Sequence, residues 1–379
     1  MPERLRAACN RAHFSGMDAI QASVHHQSTL VYSEAFGAAS TESIFDVASV
    51  TKLAATTLIA CVLHSRKALS LEDSISKYLP ELHRSHSGIT VHHLLAHSSG
   101  LPAWQPFFRD CLDIPGAFPG PPTAAGMKQS RHRCLQAVKS ALPLSKPGHR
   151  RVYSDTGFIL LGEVLQVIGG SSLELLAQEL VFDPAQLQNT RFHRLGTPFN
   201  TQGIVPTGST RPRAPAPGQE GLFPGLDQNP RRDPGEVDDD NAYALGGVAG
   251  HAGLFSTAAD LSRLGALLLE ELSGAERFGV GESLRLFSQP DLGPEGPARG
   301  LGFDRIAPVG SSVGPRWGQG PGGGFGHLGF TGCALWVDVT RGLSASLLTN
   351  RVLHGREHTE GIKSLRPEFF DGVIETYPG

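Results

Sequence analysis

Charge is thin in this sequence. Asp, Glu, Lys and Arg fill 18% of its 379 residues, only seven residues are lysine, and the formal net charge is −3. No segment gathers basic residues into the stripe that nucleic acid requires, so nucleic acid is not an expected partner. Long apolar runs are also missing. Stretches such as Ala334 to Val337 fall far short of the roughly 20 residues that span a bilayer, so no membrane crossing is expected. Met1 to Arg11 is charged, with no apolar core or small-residue cleavage site after it, and the expected location is the cytoplasm. Cys9, Cys61, Cys111, Cys134 and Cys333 form an odd set without a C-x-x-C pair, as free thiols in a reducing compartment would.

Glycine and proline are plentiful instead, with 46 and 27 residues, which implies long, turn-rich connections. Hydrophobic residues make up 40%, enough for a substantial core. We read residues 1–379 as a single domain, with a sheet portion at about 1–65 and 258–379 and a mostly helical portion at about 66–257. Ala19 to Val24 and Thr29 to Gly37, around the polar His25 to Ser28, predict a β-hairpin. From Ser49 to about Ser65 the chain is almost wholly apolar and predicts a helix buried on every side. Helices are also expected at about Leu71 to Tyr78, Val91 to His97, Arg131 to Ala141, Tyr153 to Ile168, Leu173 to Leu180, Thr257 to Glu271 and Pro367 to Thr376. Residues 206–235, with seven prolines and five glycines and no period, predict a long loop. Gly302 to Ile306, Cys333 to Asp338 and Ser344 to Thr349 predict strands. Strands at both ends with helices between them imply an α/β fold of the α+β type, one antiparallel sheet completed by both termini and carrying a helical insertion.

The first chemical signal is Ser49-Val50-Thr51-Lys52 at the head of the buried helix. One helical turn puts serine and lysine on the same face, where the amine can reach the serine oxygen. A serine alcohol needs a base before it attacks, and the helix N-terminus adds positive potential there. Ser74-Ile75-Ser76-Lys77 repeats the spacing and reads as a polar helix face. Two further segments join the first: Tyr153-Ser154-Asp155, which opens a helix, and Gly326-His327-Leu328-Gly329-Phe330-Thr331-Gly332, which leads into an apolar strand.

In order and spacing these three segments resemble the motifs of the serine β-lactamase and penicillin-binding-protein superfamily, in particular its class C-like branch with the related esterases. Ile89 to Leu101 is similar to the family's LLxHTSGL segment, and Asn241 to Thr257 to the segment before its later helix, so the likeness runs over roughly residues 19–377. The resemblance implies a β-lactamase/transpeptidase-like fold and acyl-enzyme chemistry without cofactor or metal. Ser49 would be the nucleophile and Lys52 its proton acceptor or electrostatic activator. Tyr153 would carry the proton to the leaving group, with its pKa pulled down by Lys52. The backbone N–H groups of Ser49 and Phe330 would form the oxyanion hole, and Asp155, His327, Gly329 and Phe330 would face the substrate. The chain departs from the family pattern twice, because Asp155 stands for its asparagine and His327 for its lysine. A largely neutral imidazole cannot clamp a carboxylate as lysine does, and an added aspartate repels one, although it could keep Lys52 protonated and oriented. Both changes disfavour penicillin-like substrates.

Other patterns read as structural. His93 and His97 have zinc-helix spacing without the glutamate of H-E-x-x-H, and Asp238-Asp239-Asp240 reads as a solvated turn. His251 reads as packing near the pocket rim. Gly318, Gly320 and Gly323 fit G-x-G-x-x-G, but Pro321 lies inside and no strand precedes them. Trp104, Phe107 and Phe108 are candidates for a substrate wall. The expected function is a serine hydrolase, carboxylesterase or DD-peptidase-like, acting on a small-molecule ester or peptide, with weak β-lactam hydrolysis allowed. The alternative is a catalytically silent ligand-binding or penicillin-binding-like protein.

Overall fold

The alternation in Ala19 to Gly37 is realised as an antiparallel hairpin, β1 (Ala19–His26) and β2 (Thr29–Gly37), whose turn places Gln27 and Ser28 at positive φ. The computed structural model describes residues 3–14, 17–118, 121–208, 232–306, 311–320, 322–356 and 359–378. Short strands β3 (Phe45–Asp46), β4 (Arg191–Phe192) and β5 (Leu254–Ser256) form a separate three-stranded sheet in the order β3-β5-β4. Four more strands, β6 (Asp304–Arg305), β7 (Gly324–Leu328), β8 (Ala334–Asp338) and β9 (Leu343–Thr349), complete the main sheet. Its order is β2-β1-β9-β8-β7-β6, and every pairing is antiparallel. The C-terminal strands thus return to the N-terminal hairpin, as the α+β reading requires.

Strands β8 and β9 are buried at every residue, because both faces of the sheet are covered. One face holds the helices Glu3–Phe14 and Glu360–Thr376, with Leu5, Cys9, Trp317, Trp336, Phe369 and Phe370 in its core. The other packs against Ala258–Leu272, where Thr257 caps the helix by accepting from the Asp260 N–H. The larger core continues from there into the helical layer. Among the described residues no single helix is long and apolar enough to cross a membrane.

Several expected elements shift. Glu3–Phe14 is helical, although the sequence reading assigned no structure there. Leu71 to Tyr78 is a chain of turns with one 3₁₀ segment, Ile75–Lys77, because the Ser74 side chain caps that segment and Pro80 follows. The helix expected from Arg131 starts at Ala124, where Thr123 accepts from the Gly126 N–H, and the last helix runs from Glu360 through Pro367. Of the long loop at 206–235, residues 209–231 lie outside those described. All five cysteines are free and buried.

Candidate active site

The turn that carries Ser49 is held by one buried carboxyl. Asp46, at the end of β3, accepts the N–H of Ala48 through Oδ1 (2.9 Å) and the N–H of Asp238 through Oδ2 (2.7 Å), while its carbonyl accepts from the Thr331 hydroxyl (2.8 Å). Two remote segments therefore meet the turn at one residue. Burial pushes the Asp46 carboxyl up to about 7, against these two N–H donors. Ala48 adopts a left-handed φ of 47°, and Ser49 follows it, partly exposed, at the mouth of the buried helix. The helix is wound wide over Lys52–Thr57 and becomes α-helical over Leu58–Ser65, with Thr56 donating to the carbonyl of Gly250. Widened turns of this kind cluster at functional sites.

Lys52 is wholly buried, and acceptors surround its ammonium. Nζ lies 3.0 Å from Ser49 Oγ, 3.0 Å from the carbonyl of His251 and 2.7 Å from Asp155 Oδ1. Burial works against the ammonium, but Asp155 and Tyr153 outweigh it, and the amine ends above its ordinary range. Asp155 reaches this place because Ser154 caps the helix Asp155–Gly169 by accepting from the Gly157 N–H. The Tyr153 phenol lies beside Lys52 and Ser49, its ring centre 4.9 Å from Lys52 Nζ and its hydroxyl near enough to both for each to pull its pKa down. Serine, lysine, tyrosine and aspartate are thus within reach of one another.

The expectation that Lys52 lowers the Tyr153 pKa needs correction. Burial pushes the phenol up, Lys52 pulls it down and Asp155 pushes it up again, and the balance lies above the ordinary value. At neutral pH the phenolate is the minor form.

His327 lies on β7 and is 2% exposed, with Nδ1 2.8 Å from the carbonyl of Leu328 and its ring 5.9 Å from that of Tyr153. Burial, reinforced by Lys52, pushes its imidazole well below the ordinary range. It therefore sits behind the phenol as a neutral group and is sealed from the pocket. His97 stacks between Tyr153 and Phe158 and accepts the Ser154 N–H; burial, together with Arg299 and Lys52, holds it neutral too. Gly329 passes so close to the turn that carries Ser49 that a Cβ would lie 2.4 Å from the carbonyl of Val47. Arg366 holds this strand end by donating to the carbonyls of Gly329 and Cys333. Among the described residues neither the Ser49 nor the Phe330 N–H has a protein acceptor.

The pocket, about 180 Å³, is lined by Ala48, Ser49, Trp104, Asp155, Asp239, Ala252, Phe330 and Arg356. Trp104 is therefore a wall residue, whereas Phe107 and Phe108 are buried. Sequence reasoning missed Arg356, which pairs with Asp238 and lies 4.8 Å from the Phe330 ring. The acidic run is not a solvated turn. Asp238 and Asp240 are buried against Arg356 and Arg232, and Asp239 caps the short helix Asp240–Ala244 and meets His251 Nε2 at 2.9 Å. Arg232, eight residues before Asp240, and Arg356, 118 residues beyond Asp238, neutralise these charges.

The second serine–lysine pair separates, with Lys77 exposed on Asp73. His93 caps its own helix by accepting from the Thr90 N–H. Among the described residues no group of three or more His, Cys, Asp and Glu could hold a metal ion.

Comparison with known proteins places these features in context. A sequence model of the family described as Beta-lactamase matches residues 10–365. The chain is 30% identical to an N-acetylmuramyl-L-alanine amidase of Bacillus subtilis (strain 168), over 88% of this chain and 72% of that protein. It is 27% identical to a putative D-alanyl-D-alanine carboxypeptidase of Escherichia coli (strain K12), over 83% and 70% of the two chains. Its fold is similar to the solved structure of EstCE1, a hydrolase with promiscuous acyltransferase activity, with a TM-score of 0.69 at 22% identity over 97% of this chain and 98% of that one. At that identity the likeness is one of fold.

Proposed function

The chain belongs to the beta-lactamase family, and from that premise we propose that it is a serine hydrolase that forms an acyl-enzyme on Ser49 and acts on a small ester or short peptide. The observation that carries the reading is the three-acceptor shell around the buried Lys52, with Ser49 Oγ at 3.0 Å and the Tyr153 ring centre 4.9 Å from the ammonium. A lysine kept charged in this way does not take a proton. It polarises Ser49 and Tyr153 instead.

The phenolate fraction of Tyr153 takes the Ser49 proton as Oγ attacks the carbonyl carbon. The oxyanion that forms meets the unused N–H groups of Ser49 and Phe330. Collapse of that intermediate breaks the bond to the leaving alkoxide or amine, and the Tyr153 hydroxyl returns the proton to it. Water then attacks the acyl-enzyme by the same proton path, which releases the acid and restores the Ser49 hydroxyl.

The 180 Å³ pocket suits a small acyl group. The neutral, buried His327 supplies no fixed cation for a penicillin-like carboxylate, and the names of the amidase and carboxypeptidase relatives put cell-wall peptide amides among the substrates to try first. The test is intact-mass analysis after incubation with a fluorophosphonate. The parent should gain one adduct and Ser49→Ala none. A folded parent that gains no adduct would instead be a silent ligand-binding protein. Turnover of a short-chain ester, a D-alanyl peptide and a carboxylate-bearing β-lactam would then rank the substrate classes.

A further inference from the structure

The loop ahead of β6 is fastened to the segment that carries Tyr153. Buried Arg151 donates through Nη1 to the carbonyl of Pro297 (3.0 Å) and through Nη2 to the carbonyl and carboxylate of Asp291 (2.7 and 2.9 Å). Its backbone N–H donates to the carbonyl of Glu295 (2.8 Å), and the Asp291 N–H donates to the carbonyl of Arg299 (2.7 Å). Arg299 is thereby set against Tyr153, two residues beyond Arg151, with its guanidinium carbon 5.1 Å from the centre of the phenol ring. Asp304 on β6 ion-pairs with Arg299 and lies 4.0 Å from His327 Nε2.

The remaining groups that face this ring come from its own segment and from three other elements. Lys52 sits 4.9 Å away and is committed to Ser49, Asp155 and His251; Asp155 is negative; His97 and His327 are neutral imidazoles with rings 4.6 and 5.9 Å away. Among the described residues, Lys52 and Arg299 are the cations over the ring. We propose that Arg299 is a positioning residue for the proton-carrying phenol, supplying from a pinned loop the second positive charge beside Tyr153 where His327 leaves the adjoining strand uncharged.

A cation at this distance favours the phenolate over the phenol, and its place over the ring face also fixes the ring. Asp304 and the quarter exposure of the Arg299 side chain temper the effect, so its loss should move Tyr153 ionisation by about one pH unit rather than two or three. The inference rests on Tyr153 as the proton carrier of the proposed hydrolase, and two readouts separate failure of one from failure of the other. The first is the ascending limb of kcat/KM against pH for a neutral chromogenic ester. The second is ultraviolet difference titration of Tyr153, each protein read against its Tyr153→Phe counterpart, which requires no turnover; with only five tyrosines in the chain the difference is resolvable.

Arg299→Gln should carry both readouts about one unit to higher pH, with roughly tenfold lower kcat/KM below the limb. Arg299→Lys should retain most of the parent behaviour. His327→Lys placed in the Arg299→Gln background should recover much of the shift, because position 327 faces the same ring. The proposal is overturned if the phenol of Arg299→Gln titrates with that of the parent. It is equally overturned if Arg299→Lys shifts as far as Arg299→Gln and lysine at 327 recovers nothing. If the parent turns over no ester and takes no fluorophosphonate adduct, the hydrolase reading fails, and the phenol titration still decides the role of Arg299.

Discussion

Asparagine at position 155 would keep an oxygen facing Lys52 and remove only the charge. The Lys52 side chain is fully buried, its partner oxygen lies 2.7 Å away, and the Asp155 side chain is 19% exposed. At an effective dielectric of about 20 the gross attraction at that distance is about 6 kcal/mol. Breaking a buried pair by deleting one partner costs about 3–5 kcal/mol. Because the amide oxygen of Asp155→Asn can still accept a hydrogen bond, we expect a loss of about 2–3 kcal/mol at neutral pH. A chain of 379 residues melts with an entropy on the order of 0.8 kcal/mol/K, so Tm should fall by about 3 °C.

The pH dependence is sharper, because its sign reverses. In the parent the Lys52 amine is raised above its ordinary value, so its contribution is complete through neutral pH and fades only at strongly alkaline pH, as the folded protein gives up that proton. Without Asp155 burial dominates and lowers the amine, the unfolded chain then binds more protons than the folded one, and stability rises with pH below about 10. Calorimetry of both proteins from pH 7 to 10 should therefore show the gap in Tm closing as pH rises. A gap that is absent at pH 7, or constant across the range, would refute the account of Lys52 as a cation held by Asp155.

Lys52→Ala and Tyr153→Phe should each slow acylation by a factor on the order of 10² or more, and the double variant by less than the product, as stopped-flow measurement with a chromogenic ester would show. Gly329→Ala should cut kcat on the order of 10²-fold with far-ultraviolet circular dichroism unchanged, since its Cβ would lie 2.4 Å from the carbonyl of Val47 and push the Phe330 N–H away from Ser49. The ratio of kcat/KM for a carboxylate-bearing substrate to that for a neutral ester should stay flat from pH 6 to 8, because burial keeps His327 neutral throughout; a rise toward acid would show that imidazole charging and facing the substrate. Ser74→Ala should retain parent activity.

The hairpin, the buried helix and the three motif segments were legible because each is locally encoded. Alternation marks Ala19 to Gly37, an apolar run marks Leu53 to Leu63, and chain order alone aligns Ser49, Tyr153 and His327. The helix Glu3–Phe14 was legible in principle, since its buried Leu5, Ala8, Cys9 and Ala12 follow helical spacing, but the charged residues among them mask the period. Asp238 to Asp240 could be read only in part. Arg232, which pairs with Asp240, stands eight residues upstream, but Arg356, which pairs with Asp238, follows the last strand and is set there by the fold. The same holds for Arg299, which meets Tyr153 only because Arg151 ties its loop down, and for the fate of His327. The sequence marks that imidazole as a replacement for a charge, but its burial behind the phenol is a property of packing.

The seclusion of Lys52 has a practical side. Its ammonium is the one lysine amine at the site, whereas Lys67, Lys77, Lys128, Lys146 and Lys363 are exposed, Lys139 is a quarter exposed, and none of the six lines the pocket. Acylating reagents for primary amines, which attack only the uncharged and accessible form, would decorate those six and spare Lys52 on both counts. Dyes, cross-linkers or a solid support could thus be attached through lysine without a mutation and without blocking Ser49. The converse is a check on integrity: Lys52 should become labelled only when the fold around Asp155 opens, so its modification would report opening of the core helix that carries the site.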